Sequence, residues 1–283
     1  VEEAQADPRP FDDGRLPAAS QPPRAATPAV QPVREEEELP LFGRRLFDLA
    51  PETFAPPSYG PVPADYLIGP GDEIVVEVWG EISYREVHVV DRRGAVLLRE
   101  AGQAVVAGHD LEEARRIITR RLASVHSGIA LDGTGDTQVD VSLGRLRNIR
   151  VFVIGETRRP GGYELSSAAT LFQALYAAGG PSDLGSMRSI RLIRSNRLVV
   201  EVDLYRYLTE GIREGDVSLR EGDTIFLPVA ETVVSVQGAV RRPGRYELRP
   251  EESLRDLIAF AGGLAAGARA DAVRVSRILP ATE

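Results

Sequence analysis

RRPGGYEL, at Arg158–Leu165, recurs 83 residues later as RRPGRYEL at Arg241–Leu248. The match continues downstream without a gap, since the Ala-Gly-Gly sequence at Ala178–Gly180 recurs at Ala261–Gly263. An ungapped match over this length indicates two copies of one small domain. Tandem copies of a turn-rich domain favour a binding or assembly role, because a reaction carried out once needs only one site.

Length and composition are ordinary for a globular protein, with 283 residues of which 43% are hydrophobic and 27% charged. This length accommodates about two compact domains and a tail. The net charge of −8 argues against nucleic acid as a partner, because neutralising phosphates requires an excess of basic residues. The absence of cysteine excludes disulfides, thiolate metal sites and cysteine nucleophiles. No apolar run is long enough for a membrane-spanning helix.

The N-terminal part of the chain divides into two segments. Residues 1–40 are rich in proline and charge, which predicts a disordered linker. Residues 41–63 carry too many apolar side chains for a free tail, and we expect them to pack on a domain or on a neighbouring subunit. Because residue 1 is not methionine and no signal sequence precedes it, we expect a processed or excised chain.

A small mixed-sheet domain is predicted at 64–147. It opens with a natural tight-turn sequence formed by Gly69, Pro70, Gly71 and Asp72. Alternating apolar residues then predict a strand over 74–79, and strands near 86–90 and 95–98 are predicted to form a hairpin around the turn at 91–94. A helix begins after Asp110 and presents one apolar stripe, and a closing strand is predicted over 137–143.

The two repeats are predicted to be β-grasp domains, which makes the whole chain an α+β protein. The first repeat, 148–230, combines a hairpin, a helix over 170–178 that ends at a glycine pair, and later strands in the order typical of a β-grasp. The second repeat, 231–283, retains the hairpin, a helix over 254–261 and a predicted strand at 273–277. It stops before the counterparts of the last strands, so we expect that the natural protein continues.

No catalytic pattern, cofactor-binding loop or metal site is evident. The histidines His88, His109 and His126 lack the spacing of a zinc site. The Gly133–Gly135 segment lacks the third glycine of a dinucleotide-binding loop, and the absence of lysine excludes a Walker phosphate-binding loop. We therefore expect no enzyme activity, no cofactor and no metal.

The paired arginines of the repeated loops are the candidate ligand or subunit contacts, namely Arg158, Arg159, Arg241 and Arg242. In one interpretation they only solvate a hairpin loop. In the other they contact a ligand or a neighbouring subunit, for which the planar guanidinium is well suited. The adjacent Pro-Gly pairs are predicted to shape type II turns, since glycine permits the positive φ that such turns require. These pairs are Pro160 with Gly161 and Pro243 with Gly244.

The sequence YLIGPGDEI at Tyr66–Ile74 resembles the opening of the export domain of Wza-type polysaccharide export outer-membrane proteins. Further residues follow at spacings that this family uses, including Asp91, Gly94, Gly102, Gly108 and Leu111. The repeats resemble the SLBB domains of the same family, β-grasp modules named for soluble-ligand binding. The order of the domains is more specific than any single motif, and it favours the N-terminal part of a member with many SLBB copies.

The resemblance implies export of capsular polysaccharide or exopolysaccharide across the outer membrane by a ring of subunits. It places this chain in the periplasm, associated with the outer membrane. The implied partners are polysaccharide, further copies of the chain, and an inner-membrane polysaccharide co-polymerase, kinase or related export component. The chain departs from the family in lacking a lipoprotein cysteine and in carrying Arg99 where proline is usual.

Two other classes of function stay open at this point. One is a carbohydrate- or cell-wall-binding scaffold that forms no channel. The other is an enzyme acting on polysaccharide, which would require two carboxylates facing each other in a cleft.

Overall fold

The computed structural model describes residues 39–48, 62–63, 66–269 and 273–276. Helices and strands are mixed along the chain, which confirms the α+β prediction. The predicted linker at 1–40 lies almost entirely outside the described residues, and so do residues 49–61 of the segment that was expected to pack.

The first domain contains a three-stranded antiparallel sheet covered by one helix. Its elements, in chain order, are β1 (Glu73–Trp79), β2 (Tyr84–Val89), β3 (Ala95–Leu98), β4 (Gly102–Val105), α1 (Leu111–Ala123) and β5 (Gln138–Leu143). Strand β1 lies between β2 and β5 and pairs with both. Alternation along β1 sends Ile74 and Val76 into a core shared with Ile118 of α1. The helix begins as predicted, because the Asp110 carboxylate accepts a hydrogen bond from the Glu113 N–H at 2.8 Å.

The predicted hairpin around 91–94 is wrong, because this turn joins strands of two different sheets. Strand β3 pairs with β4, which the sequence did not predict, while β2 pairs with β1. The Asp91 carboxylate accepts hydrogen bonds from the N–H groups of Arg93 at 2.8 Å and Ala95 at 2.9 Å, and this Asx turn redirects the chain. A tight turn then closes the β3–β4 hairpin, with Glu100 at φ 58° and Gly102 at φ 76°.

The first repeat forms a five-stranded mixed sheet of order β7-β6-β10-β8-β9. Its elements are β6 (Asn148–Gly155), β7 (Gly161–Ser166), α2 (Leu171–Ala177), β8 (Ile190–Arg194), β9 (Arg197–Val202), α3 (Leu204–Glu210) and β10 (Thr224–Leu227). Strands β6 and β10 are parallel neighbours in the middle, and the other pairs are antiparallel. First and last strands side by side beneath a helix are the arrangement of a β-grasp. Val151, Val153 and Leu175 are buried in the core between the sheet and α2.

A buried aspartate precedes a strand in the first domain and again in the first repeat. Asp72 closes the predicted turn, where its N–H donates to the Gly69 carbonyl at 3.1 Å, and its side chain accepts from the Gly69 N–H at 2.8 Å. Asp72 also accepts from the Tyr66 hydroxyl at 2.7 Å, and that hydroxyl contacts the Ser167 hydroxyl at 2.7 Å. Because Ser167 belongs to the first repeat, this buried chain of hydrogen bonds joins the first domain to it.

Asp223 has the same place before β10. Its carboxylate accepts from the Arg220 N–H at 2.8 Å and from the Arg194 guanidinium at 2.8 and 2.7 Å. The Gly-Asp pairs at 71–72 and 222–223 therefore mark two buried, fully bonded strand starts, a correspondence that the sequence analysis did not identify.

The second repeat retains the hairpin and helix in the described residues, as β11 (Val233–Val236), β12 (Gly244–Glu247) and α4 (Leu254–Phe260). The strand predicted at 273–277 is not formed over 273–276, and residue 277 lies outside the described residues. In the first repeat the matching strand β8 is held between β9 and β10. Among the described residues, 273–276 have no such neighbouring strands, so the pairing that would stabilise a strand there is lacking.

One buried guanidinium joins the two repeats. Arg188 is 4% exposed and donates to Asp203 of the first repeat at 2.8 Å and to Glu252 of the second at 2.7 Å. It also lies over the rings of Tyr205, at 4.6 Å, and Phe260, at 5.0 Å. A charge this deeply buried needs such partners to offset its lost hydration. The contacts come from both repeats and so hold them in one relative orientation.

We predict that Arg188→Met lowers the free energy of unfolding by about 3–5 kcal/mol, because it leaves the two carboxylates without their buried cation. The matched control is Arg191→Met, which removes an ion pair to Glu201 at 3.1 Å that is much more exposed. That control should lose less than about 1 kcal/mol. Urea unfolding of both variants measures the difference. Equal losses in the free energy of unfolding would show that water reaches the Arg188 junction.

Candidate functional site

Residues 39–48, called the strap below, lie across the junction of the two repeats. Leu41 pairs in parallel with Arg245 at the outer edge of β12. The Arg245 N–H donates to the Pro40 carbonyl at 2.9 Å, and the Arg245 carbonyl accepts from the Phe42 N–H at 2.9 Å. The strap thus adds a short third strand to the hairpin β11–β12. Gly244 makes this approach possible, since a Cβ there would lie 3.0 Å from the Pro40 oxygen.

Phe42 of the strap is held by aromatic and cationic side chains of both repeats. Its ring meets the Tyr205 ring edge-on at 5.0 Å and stacks on the Tyr246 ring at 5.2 Å. The Arg242 guanidinium lies 5.1 Å from the centre of the Phe42 ring. These are favourable aromatic and cation–π geometries, so the strap is bound by specific contacts as well as by apolar burial.

The strap ends in a short 3-10 helix, Arg44–Phe47, that packs on the first repeat. The Phe47 ring covers Gly180, where a Cβ would lie 2.3 Å from the ring. Beside it, the Asp48 carboxylate pairs with Arg158 at 2.8 Å. The strap therefore binds the hairpin edge of the second repeat and the glycine corner of the first.

The four candidate arginines lie exposed in two separate loops and have different partners. Arg158 pairs with Asp48 of the strap, as described above. Arg159 donates to the Ala177 carbonyl at 2.8 Å, at the C-terminal end of α2, where a cation is favourable. Arg242 lies over Phe42, and Arg241 has no side-chain partner among the described residues. Arg241 is consequently the member of the set whose guanidinium is available to another molecule.

The Pro-Gly pairs do not form the predicted type II turns, because neither Gly161 nor Gly244 adopts a positive φ. The positive φ values occur earlier in each loop, at Gly155 (85°) and Gly238 (90°). Pro160 and Pro243 precede the first residue of β7 and β12, a position where a missing N–H costs no ladder bond. The glycine at 244 instead allows the strap backbone to approach.

Burial shifts the ionisation of the groups at the junction. Desolvation raises the pKa of the Glu247 carboxyl, although hydrogen bonds from the Ser186 hydroxyl and the Met187 N–H oppose the shift. Burial also raises the pKa of the Tyr205 hydroxyl, which accepts from the Glu247 N–H at 2.8 Å. Desolvation works to lower the pKa of Arg188, but its bonds to Glu252 and Asp203 outweigh it and raise the pKa.

A shallow groove of about 500 Å³ lies between β2 and the β3–β4 hairpin of the first domain, and Glu86 and Glu100 line it. Two carboxylates thus border one groove, as a polysaccharide-cleaving enzyme would require. However, one Glu86 oxygen is bound by Arg99 at 2.8 Å and the other lies 3.5 Å from His88. Glu86 thus borders the groove as a member of an ion pair with Arg99. Within the described ranges, no three potential metal ligands cluster and no helix is long and apolar enough to span a membrane.

The strap aromatics Phe42 and Phe47 and the partner of Phe42, Tyr205, were not predicted from the sequence as parts of one binding arrangement. A signal for Phe47 was present at Gly180, because a glycine can mark a close approach as well as a helix end. The position of Tyr205 carried no comparable signal, because its partners lie far away in the sequence.

Comparison with known proteins identifies relatives for most of the described chain. The sequence matches the polysaccharide biosynthesis/export protein family over residues 60–143 and the SLBB domain over residues 150–203 and 233–282. The polysialic acid transport protein KpsD of Escherichia coli is 30% identical over 211 residues, which is 74% of this chain and 36% of that protein. The EPS I polysaccharide export outer membrane protein EpsA of Ralstonia solanacearum is 32% identical over 181 residues, 62% of this chain and 46% of that protein. The chain therefore spans less than half the length of these relatives.

The contact between Phe47 and Gly180 predicts different effects of one substitution at two equivalent glycines. Gly180 and Gly263 both have positive φ, 73° and 87°, so alanine costs about 1–2 kcal/mol at either site. At Gly180 the new methyl group also meets the Phe47 ring, which adds about 1–3 kcal/mol, whereas no atom of the described part of the chain lies within 4 Å of a Cβ at Gly263. Thermal unfolding of Gly180→Ala and Gly263→Ala should separate the two, and equal losses would contradict the docking of the strap.

The raised pKa of Glu247 predicts a pH-dependent contribution to stability. At pH values above 4.5, the ordinary pKa of a glutamate, the unfolded chain releases the proton of this residue while the folded protein retains it. The contribution of Glu247 to the free energy of unfolding therefore falls as the pH rises through the folded pKa. Glu247→Gln cannot titrate, so it should gain stability relative to the parent chain as the pH rises above 4.5. Urea unfolding across this range tests the prediction, and a difference that stays constant with pH would refute it.

Proposed function

The chain belongs to the Wza-type polysaccharide export family, and on this basis we propose that it takes part in moving capsular polysaccharide or exopolysaccharide across the outer membrane. The observation that carries the proposal is the order of an export domain and two SLBB repeats in one chain that is similar to two named export proteins. In this proposal the export domain spans 64–147 and the SLBB domains span 148–230 and 231–283.

We further propose that the chain acts as one subunit of a ring. Support comes from its rigid joints, since the Asp72–Tyr66–Ser167 bonds and the Arg188 contacts link the three domains through buried polar groups. A closed ring requires each subunit to keep the same angles between its domains, because an angular error in each subunit accumulates around the assembly.

The exposed sheet edges also support contacts between subunits. Strand β2 is an edge strand with Val87 and Val89 exposed, and β9 is an edge strand with Leu198 and Val199 exposed. Unpaired strand edges with apolar side chains readily pair with another chain. Heterologous contacts between identical subunits generate closed rings when the rotation permits.

The proposed setting is the periplasm, in association with the outer membrane. The proposed partners are polysaccharide, further copies of the chain and an inner-membrane co-polymerase, kinase or related export component. A scaffold that binds carbohydrate without forming a channel is the second candidate, and the groove lined by Glu86, Arg99 and Glu100 favours it, because carboxylates and guanidinium groups bind sugar hydroxyls.

The four loop arginines provide the mutational test, and Arg241 is the most informative of them. Because its side chain has no partner among the described residues, Arg241→Ala should change the free energy of unfolding by less than about 0.5 kcal/mol while weakening assembly and polymer export. Removing Arg158, Arg159 and Arg242 as well should add the loss of their contacts with the strap and α2. Arg255→Ala, an exposed arginine on α4, is the matched control.

The mass of the full-length protein in detergent, measured by light scattering, and the secreted polymer of a complemented deletion strain are the two readouts. We expect an oligomer and normal secretion for the parent protein and the Arg255 variant, and losses in both for the Arg241 variant. A strictly monomeric parent protein would refute the ring and favour the scaffold. Unchanged secretion by the variant lacking all four arginines would refute the role of the loops.

A further inference from the structure

The two repeats present the same hairpin edge twice, and the strap covers this edge in the second repeat. There, the N–H and carbonyl of Arg245 both point outward and bind the strap backbone, each at 2.9 Å. The residue that matches Arg245 in the first repeat is Gly162, the second residue of the edge strand β7.

The backbone of Gly162 also points outward. Gly162 lies opposite Phe152 of β6, and the Phe152 N–H donates to the Asp223 carbonyl at 2.8 Å, on the β10 side. The N–H and carbonyl of one strand residue point to the same side, so Phe152 and Gly162 form a non-hydrogen-bonded pair. The polar groups of Gly162 therefore face away from β6, and they have no hydrogen-bond partner among the described residues.

The surroundings of the edge are repeated as well. The Tyr163 hydroxyl donates to the Arg159 carbonyl at 2.5 Å, as the Tyr246 hydroxyl donates to the Arg242 carbonyl at 2.6 Å. The Arg159 side chain lies 3.5 Å from a Cβ position at Gly179, and the Arg242 side chain lies 3.1 Å from the same position at Gly262. Tyrosine and arginine are thus placed alike at the covered edge and at the open one.

Space for an incoming backbone is present at the open edge. A Cβ at Gly244 would lie 3.0 Å from the strap carbonyl of Pro40, whereas no atom of the described residues lies within 4 Å of the equivalent position at Gly161. Next to the edge, Phe152 is 41% exposed and its ring lies 3.5 Å from a Cβ position at Gly162. An open strand edge beside an exposed aromatic ring is a template for strand addition.

We propose that the β7 edge, Gly161–Glu164, is a peptide-binding site that takes an extended, aromatic-bearing segment of a partner protein. The segment adds a strand through the backbone of Gly162 and places its aromatic ring on Tyr163 beside Arg159, as Phe42 lies on Tyr246 beside Arg242. The strap is the chemical template for this segment. The site lacks a counterpart of Tyr205, which completes the Phe42 site, so binding is weaker than that of the strap to the second repeat. This inference does not depend on polysaccharide export.

The test uses the whole chain and a fluorescein-labelled synthetic peptide of residues 39–48, with binding followed by fluorescence anisotropy. The parent chain should bind the peptide, and Gly162→Ala should bind it equally, because alanine retains the N–H and its methyl group makes an ordinary contact with Phe152. Gly162→Pro removes the outward N–H without touching a ladder bond and should bind at least about tenfold more weakly. A peptide with Phe42→Ala should bind the parent chain about fivefold more weakly, since it loses the aromatic contact.

Thermal unfolding shows whether each variant is folded, and Gly161→Val provides a second block at the same edge. Its side chain would occupy the space that the incoming backbone needs, and φ at Gly161 is not in the region restricted to glycine. It should reduce peptide binding as Gly162→Pro does. Equal binding by both blocked variants and the parent chain would overturn the proposal, since the peptide would then be displacing the strap from the second repeat. Absence of binding to the folded parent chain up to about 1 mM peptide would overturn it as well.

Discussion

The burial of one guanidinium between two carboxylates of different repeats governs the arrangement of the C-terminal half of the molecule. A cation removed from water at Arg188 loses several kcal/mol of hydration free energy, and its partners here come from both repeats. Asp203 and Tyr205 come from one repeat, and Glu252 and Phe260 come from the other. The ion therefore stabilises the pair of repeats only in the orientation that brings all of these groups together. The groove that holds the strap exists only in that orientation, because its walls also come from both repeats.

Two copies of one sequence consequently occupy different environments. Glu247 is buried against Ser186 and Met187 of the preceding repeat, while its counterpart Glu164 is exposed. The hairpin itself is the same in both copies, down to the bond from the tyrosine hydroxyl to the loop carbonyl. Differences between the copies thus arise from what lies next to each hairpin and not from how the hairpin is made. The same hairpin can therefore serve for packing within the chain in one repeat and for binding another molecule in the other repeat.

Local elements of this fold were predictable and their partners were not. Asp110 and the apolar stripe behind it placed the start of α1, and alternation placed β5 within a residue of its observed bounds. The turn at 91–94 was also located, but the strand that follows it pairs forward with Gly102–Val105, a segment with little apolar alternation of its own. Periodicity reports which face of an element is buried, whereas pairing depends on neighbours that sequence spacing does not specify. For the candidate site, the loops were found from the repeat, but the strap contacts on Arg158 and Arg242 were not, because they join distant parts of the chain.

The strap has a consequence for biosynthesis. Leu39 binds Arg245, 206 residues further along the chain, so the strap leaves the ribosome long before its docking strand has been made. The first domain and the first repeat can form from nearer contacts while Leu41 and Phe42 still lack their partners in the second repeat. Closing so long a loop costs only logarithmically more entropy than closing a short one, but it delays the contact. The contacts of Leu41 with Arg245 and of Phe42 with Tyr246 can therefore form only after the second hairpin has been made, whereas Phe47 can reach Gly180 as soon as the first repeat is present.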